Sequence, residues 1–155
     1  WCCLVGSEMC IRDRGHVAGS ELDGRTIPYD ASLEGLVSKK KDFIGKRSLN
    51  RSAFTSTDRE KLVGVVPIDK TTSIPEGSYI VKDPKAKLPN PKLGHVSASC
   101  WSVEYDNPFS LAIIKDGKNM IGQKLFAMSP LKNKTIPVEI VSSHYVDPEG
   151  KRVRS

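Results

Sequence analysis

The chain has 155 residues, 38% of them apolar and 27% charged. That balance excludes a disordered chain, and no apolar run approaches the ~18–20 residues a helix needs to cross a bilayer. Lysine and arginine number 24 against 18 acids, a net charge of +6, which leaves an anionic partner open without choosing one.

Residues 1–14 (WCCLVGSEMCIRDR) hold three of the four cysteines. They show neither helical nor strand periodicity and lack the parts of a signal peptide. The stretch resembles a translated sequencing-library adapter, so a non-native leader is expected, with a genuine N-terminal extension as the alternative. Cys2, Cys3, Cys10 and Cys100 do not have the spacing of a disulfide framework. No CxxC pair occurs and His16, His95 and His144 are scattered, so no metal ligands are assigned. A reducing, cytoplasmic setting is expected.

Residues 21–30 are turn-rich, with Asp23-Gly24 and Pro28 as breakers. In residues 31–38, Leu33, Leu36 and Val37 recur at spacings of three and four, which predicts one or two helical turns. Asp42 reads as the N-cap of a helix over residues 43–53, with Ile44, Leu49 and Ala53 facing inward. Gly45 counts against that helix.

From residue 61 onward, short apolar runs alternate with turn clusters, the pattern of strands. The runs are residues 62–68, 78–81, 94–101, 109–114, 123–126 and 135–142. Val96, Ala98 and Cys100 alternate with Ser97 and Ser99, as on a half-buried strand. Asp116-Gly117 reads as a hairpin turn. Residues 84–91 (PKAKLPNP) read as an exposed loop, because three prolines cannot supply ladder donors. The expected fold is α+β and mainly β, a short helical segment followed by a small six-stranded antiparallel barrel or jelly roll.

The charge is concentrated. Residues 39–51 hold six bases and one acid, which is either a solvated face or an anion site supplied by lysine and arginine. Nucleic acid is the less favoured anion, since no aromatic platform or binding signature accompanies the bases. Cys100 reads as a small buried hydrophobe rather than a thiolate, and His95 has no acid partner evident in sequence. No catalytic residue emerges. Residue chemistry alone stops at a basic, anion-friendly β-rich module.

Five blocks carry a family resemblance: residues 19–30 (GSELDGRTIPYD), 33–51 (LEGLVSKKKDFIGKRSLNR), 75–80 (PEGSYI), 94–102 (GHVSASCWS) and 144–152 (HYVDPEGKR). In this order they resemble the folate-binding aminomethyltransferases, the family of the glycine cleavage T-protein. Within it they look most like the C-terminal part of the alpha subunits of heterotetrameric sarcosine oxidases. The resemblance implies that residues 15–58 end a folate-binding lobe and residues 59–155 form a C-terminal barrel. It also implies a tetrahydrofolate site, where the one-carbon unit from sarcosine is captured as 5,10-methylenetetrahydrofolate.

FAD, FMN and NAD would belong to the parent complex but not to this segment, and the beta, gamma and delta subunits would be its partners. Residue by residue, the family's folate-gripping glutamate and catalytic aspartate fall upstream of Gly15, in sequence absent or replaced by the leader. The segment alone would then be inactive. A basic residue for the folate glutamate tail falls at Lys40, where the T-protein has arginine. A C-terminal tyrosine of the T-protein falls near Gly150-Lys151 and is absent; Tyr145 stands close enough to replace it, or else forms a wall of the barrel. Trp101 reads as packing rather than as a pterin neighbour. The alternatives are a T-protein proper and, from another class, a basic nucleic-acid-binding β-module.

Overall fold

The structure, a computed structural model, describes residues 22–56, 58–85, 91–103, 105–145 and 151; the expected leader lies outside them. Six strands, β1 Glu60–Pro67, β2 Tyr79–Val81, β3 Gly94–Ser102, β4 Asn107–Lys115, β5 Lys124–Ser129 and β6 Lys134–Val141, close into a barrel in the order β1-β4-β3-β2-β5-β6. Every neighbouring pair is antiparallel. Closure pairs both sides of the sheet and leaves no long edge exposed. All six expected strands are present, as a barrel rather than a jelly roll.

Two apolar clusters hold the barrel. Its interior is filled by Val63, Val65, Ile80, Val96, Ala112, Ile114, Leu125, Ala127, Ile136, Val138 and Ile140, with Ile74 and Met120 plugging in from the connections. A second cluster, Leu62, Val66, Ala98, Phe109 and Leu111, covers the outer face of β1, β3 and β4. Strands β1 and β4 are therefore buried on both faces, and read as near-continuous apolar runs.

β3 departs from its expected alternation. Val96 pairs with Ala112 but Ala98 pairs with Leu111, so Ser97 is an extra residue, a β-bulge. The bulge moves the side-chain phase by one. Val96 enters the barrel, whereas Ala98 and Cys100 join the outer cluster and Ser99 faces Ser110, their hydroxyls 3.0 Å apart.

Asp116-Gly117 is not a hairpin turn, because β4 and β5 are not neighbours. Asp116 takes a left-handed conformation and a 3-10 turn, Gly117–Met120, carries the chain across the barrel end. A Cβ on Gly117 would lie 2.9 Å from Val63 Cγ1, so the glycine there serves a close approach.

The helical segment is also shorter than its sequence suggests. The turns expected over residues 31–38 reduce to one 3-10 turn, Glu34–Leu36. The helix expected over residues 43–53 is two single turns, α1 Lys46–Leu49 and α2 Ser52–Thr55. Gly45 is left-handed at φ 95° and is itself the residue before α1, and Arg51 is extended and separates the two turns. Asp42 caps neither; its carboxylate accepts from Lys46 Nζ at 2.9 Å. Ile44 and Ala53 are exposed rather than inward, and Leu49 is half-buried.

Neither turn buries a residue, so their stability comes from the side. Arg59, just before β1, supplies it. Its guanidinium donates to the buried Asp30 carboxylate from Nε (3.1 Å to each oxygen) and from Nη2. It also donates to the carbonyls of Arg25 (2.7 Å) and Ala53 (3.3 Å), and lies over the Phe54 ring at 5.2 Å. The Asp30 hydrogen bond holds the guanidinium above its usual pKa against the opposing effect of burial. Leu62 N–H to Asp30 O (2.7 Å) and Ser32 Oγ to Leu62 O (3.1 Å) complete the attachment.

Candidate functional site: a lysine-lined groove

The basic run folds around an open groove. Lys39, Lys40 and Lys41 line it together with Lys46, Tyr29, Phe43, Val37, Leu49 and Glu34. The groove exists because Lys41 N–H bonds back to Ser38 Oγ at 2.9 Å and Gly45 reverses the chain before α1. Tyr29 arrives from the loop that Arg59 and Asp30 hold, and stands 38% exposed; Phe43 is 39% exposed. Both side chains are thus partly open to solvent at the groove. Sequence spacing gave no sign of this, because Tyr29 lies ten residues from the lysines.

Charge in the groove is unbalanced. Lys46 is paired with Asp42, and Glu34 with Lys118 at 2.7 Å. Burial alone would raise the Glu34 carboxyl, but the Lys118 hydrogen bond, the local backbone and the nearby His144 together hold it below the usual carboxylate range. Among the described residues no carboxylate pairs with Lys39, Lys40 or Lys41. Three exposed lysines lining the groove beside Tyr29 and Phe43 suit an anionic ligand. As a lysine, Lys40 acts as a point charge and not as a bidentate fork.

Tyr145 lies elsewhere. It is half-buried on the outer barrel wall, its ring stacked on Phe109 (centroids 4.8 Å, 16°) and edge-on to Tyr105 (5.2 Å, 63°). Its hydroxyl accepts from Asn107 Nδ2 at 3.3 Å, and the other end of that buried amide, Oδ1, has no partner among the described residues. None of these residues lines the groove. The structure therefore does not bring Lys40 and Tyr145 into one pocket. Asn107 was unreadable in sequence, since one asparagine at a strand start carries no signal.

The remaining candidates also separate. Trp101 ends β3 opposite Pro108, 46% exposed. Cys100 is half-buried and packed on the outer cluster. His95 lines a second cleft with Asp23, Arg25, Asp30, Asp58, Arg59 and Glu60, in whose wall Asp30 and Arg59 are paired. Among the described residues no His, Cys, Asp and Glu cluster could hold a metal ion, and no helix is long and apolar enough to cross a membrane.

Comparison with known proteins supplies the relationship. Residues 60–147 match the glycine cleavage T-protein C-terminal barrel domain. The chain is 34% identical over 143 residues to the sarcosine oxidase subunit alpha of Rhizobium meliloti (strain 1021), covering 91% of this chain and 14% of that protein. It is 36% identical over 138 residues to the sarcosine oxidase subunit alpha of Corynebacterium sp. (strain P-1), covering 88% and 14%. An aminomethyltransferase of Thermosipho melanesiensis is 26% identical over 139 residues, with 88% and 35% covered. The crystal structure of the glycine cleavage system aminomethyltransferase T from Bartonella henselae superposes with a TM-score of 0.64 at 19% identity, covering 89% of this chain and 37% of that one. The chain thus spans about one seventh of the sarcosine oxidase subunits it matches. These relatives are enzymes, and those named as subunits belong to multi-subunit complexes. By its barrel and by these relatives, the chain belongs to the glycine cleavage T-protein family.

Proposed function

We propose that the chain is the C-terminal part of a sarcosine oxidase alpha subunit, and that its lysine groove forms part of a tetrahydrofolate site. The observation that carries this reading is that Lys39, Lys40 and Lys41, without carboxylate partners among the described residues, line one groove with the partly exposed Tyr29 and Phe43. When bound, tetrahydrofolate takes up the one-carbon unit from oxidative demethylation of sarcosine, giving 5,10-methylenetetrahydrofolate. Lys40 and its neighbours hold the glutamate carboxylates of that ligand. Tyr29 and Phe43 pack on its flat aminobenzoyl portion and exclude water from one side of it. Tyr145, packed on Phe109 at the barrel wall, takes no part in this groove. The carboxylate that lines the groove, Glu34, is paired with Lys118, so the acids of the reaction come from outside these residues. Sarcosine oxidation itself belongs to flavin and to companion subunits, and the chain by itself is inactive.

The test is kinetic, on the assembled enzyme. Lys40→Ala should raise the apparent KM for tetrahydrofolate by roughly 5-fold, the size of one lost charge pair, and leave flavin reduction by sarcosine unchanged. An unchanged KM would sink the assignment of Lys40. The 26% identity to an aminomethyltransferase keeps a glycine cleavage T-protein as a second reading. Genes for beta, gamma and delta subunits beside this one support the first reading, and a lipoyl carrier gene supports the second.

A further inference from the structure

The Glu34 carboxylate lines the groove among the lysines, where its charge opposes any anionic ligand. Burial works to raise its pKa, but the Lys118 hydrogen bond, its own backbone and the charges of Lys118 and His144 hold it below the usual carboxylate range. At neutral pH it is therefore an anion. Its partner comes from outside the groove. Lys118, 84 residues away in sequence, donates from Nζ to Glu34 Oε1 at 2.7 Å and does not itself line the groove. Lys118 also has a fixed base, the turn Gly117–Met120, both of whose ends are buried. Met120 plugs the barrel interior, and Asn119 bonds back to Asp116 through its backbone N–H (3.1 Å) and through its side chain (2.7 Å). The Lys118 side chain is 29% exposed and that of Glu34 52%, so the cation is the better held of the two.

We propose that Lys118 is a positioning residue for the lysine groove: it holds the Glu34 carboxylate in an ion pair and so leaves Lys39, Lys40 and Lys41 to an anionic ligand. The inference rests on the reading of the groove as the site for the carboxylate tail of tetrahydrofolate. Lys118 acts through Glu34 rather than on the ligand. Without it, the Glu34 carboxylate either takes a groove lysine for itself or stands uncompensated beside the incoming carboxylate. Both outcomes weaken binding and leave the reacting carbon untouched. A plain tie between the basic segment and the barrel has other consequences. Arg59 and Asp30 already make such a tie, and if Lys118 only added a second, any substitution that breaks its contact with Glu34 would do the same damage.

The test compares Lys118→Ala, Glu34→Gln and the double variant Glu34→Gln/Lys118→Ala on the assembled enzyme, through KM and kcat for tetrahydrofolate. Lys118→Ala should raise KM by roughly 5-fold at constant kcat, the size of one exposed charge interaction. Glu34→Gln should leave KM at or below the wild-type value, since it removes the repelling charge. The double variant should recover to within about 2-fold of wild type, and Lys118→Arg, which keeps the charge, should bind as wild type. A plain tie cannot give that recovery, so the proposal is overturned if Glu34→Gln and the double variant are as impaired as Lys118→Ala. Citrate, a tricarboxylate without a ring, repeats the series independently of folate when titrated into the full chain and followed by NMR at the amides of residues 39–41. If Lys40→Ala raises the tetrahydrofolate KM but Lys118→Ala does not, the folate reading stands and the role of Lys118 is overturned. If Lys40→Ala leaves that KM unchanged, the folate reading falls and citrate decides. A citrate Kd raised in Lys118→Ala and recovered in the double variant then supports the role of Lys118 toward another anion. Any other citrate pattern, absence of binding included, overturns it.

Discussion

Gly64 shows what one residue contributes by lacking a side chain. Its position in β1 lets the Phe109 ring lie flat on the outer wall; a Cβ would meet two ring carbons at 2.8 Å and Ser142 O at 2.5 Å. Gly64→Ala should therefore cost about 2–3 kcal/mol in urea unfolding, whereas Gly24→Ala, with open space around it, should change stability little. Asp23 offers a test of a different kind. The Arg25 side-chain and backbone hydrogen bonds, followed by Thr26, lower its carboxyl pKa to about 2. A lowered folded value means the interaction is present above the ordinary carboxylate range and is lost as pH falls through about 2. A carboxyl NMR titration should give that midpoint in the wild type, and Arg25→Ala should move it up toward the usual range. At this scale the sequence was readable where charge is concentrated, as in the lysine run of residues 39–41, and mute where a residue acts through a distant neighbour. Tyr29 joins the lysines, and Asn107 joins Tyr145, only because folding brings them together.

Strands were more legible than helices among the elements. Barrel strands carry their own apolar pattern, whereas α1 and α2 bury nothing and take their shape from Gly45 and Arg59. Two substitutions separate local capping from tertiary support. Asp42→Ala should alter stability by less than about 0.5 kcal/mol, since Asp42 forms one exposed ion pair and no cap. Arg59→Ala should cost about 3 kcal/mol in chemical denaturation, because it strands the buried Asp30 carboxylate. Arg59→Lys should recover part of that loss, as one ammonium cannot reach Asp30, Arg25 and Ala53 together. The bulge at Ser97 was hidden for a related reason. Period-two alternation in sequence assumes an unbroken ladder, and one inserted residue sends Ala98 and Cys100 to the opposite wall.

The whole molecule is a closed barrel with an attached basic segment, and the two should differ in local stability. Amides of Val63, Val65, Ile114 and Ile140, ladder residues whose side chains are fully buried, should exchange hydrogen only on global opening. Amides of residues 46–55 should exchange at least roughly 100-fold faster, since few buried contacts hold them. Equal protection in both regions would contradict this division. The sequence by itself determined six strands, a mainly β class, a concentrated cationic run and the family's blocks, because each is written in local composition, periodicity or motif. Only the tertiary structure decided that the strands close in the order β1-β4-β3-β2-β5-β6. It alone decided that β4 passes to β5 by a crossover, that Tyr29 lines the lysine groove and that Tyr145 stands apart from it. Those outcomes depend on pairing between residues distant in sequence, whose energies come from burial and hydrogen bonding that no local window contains.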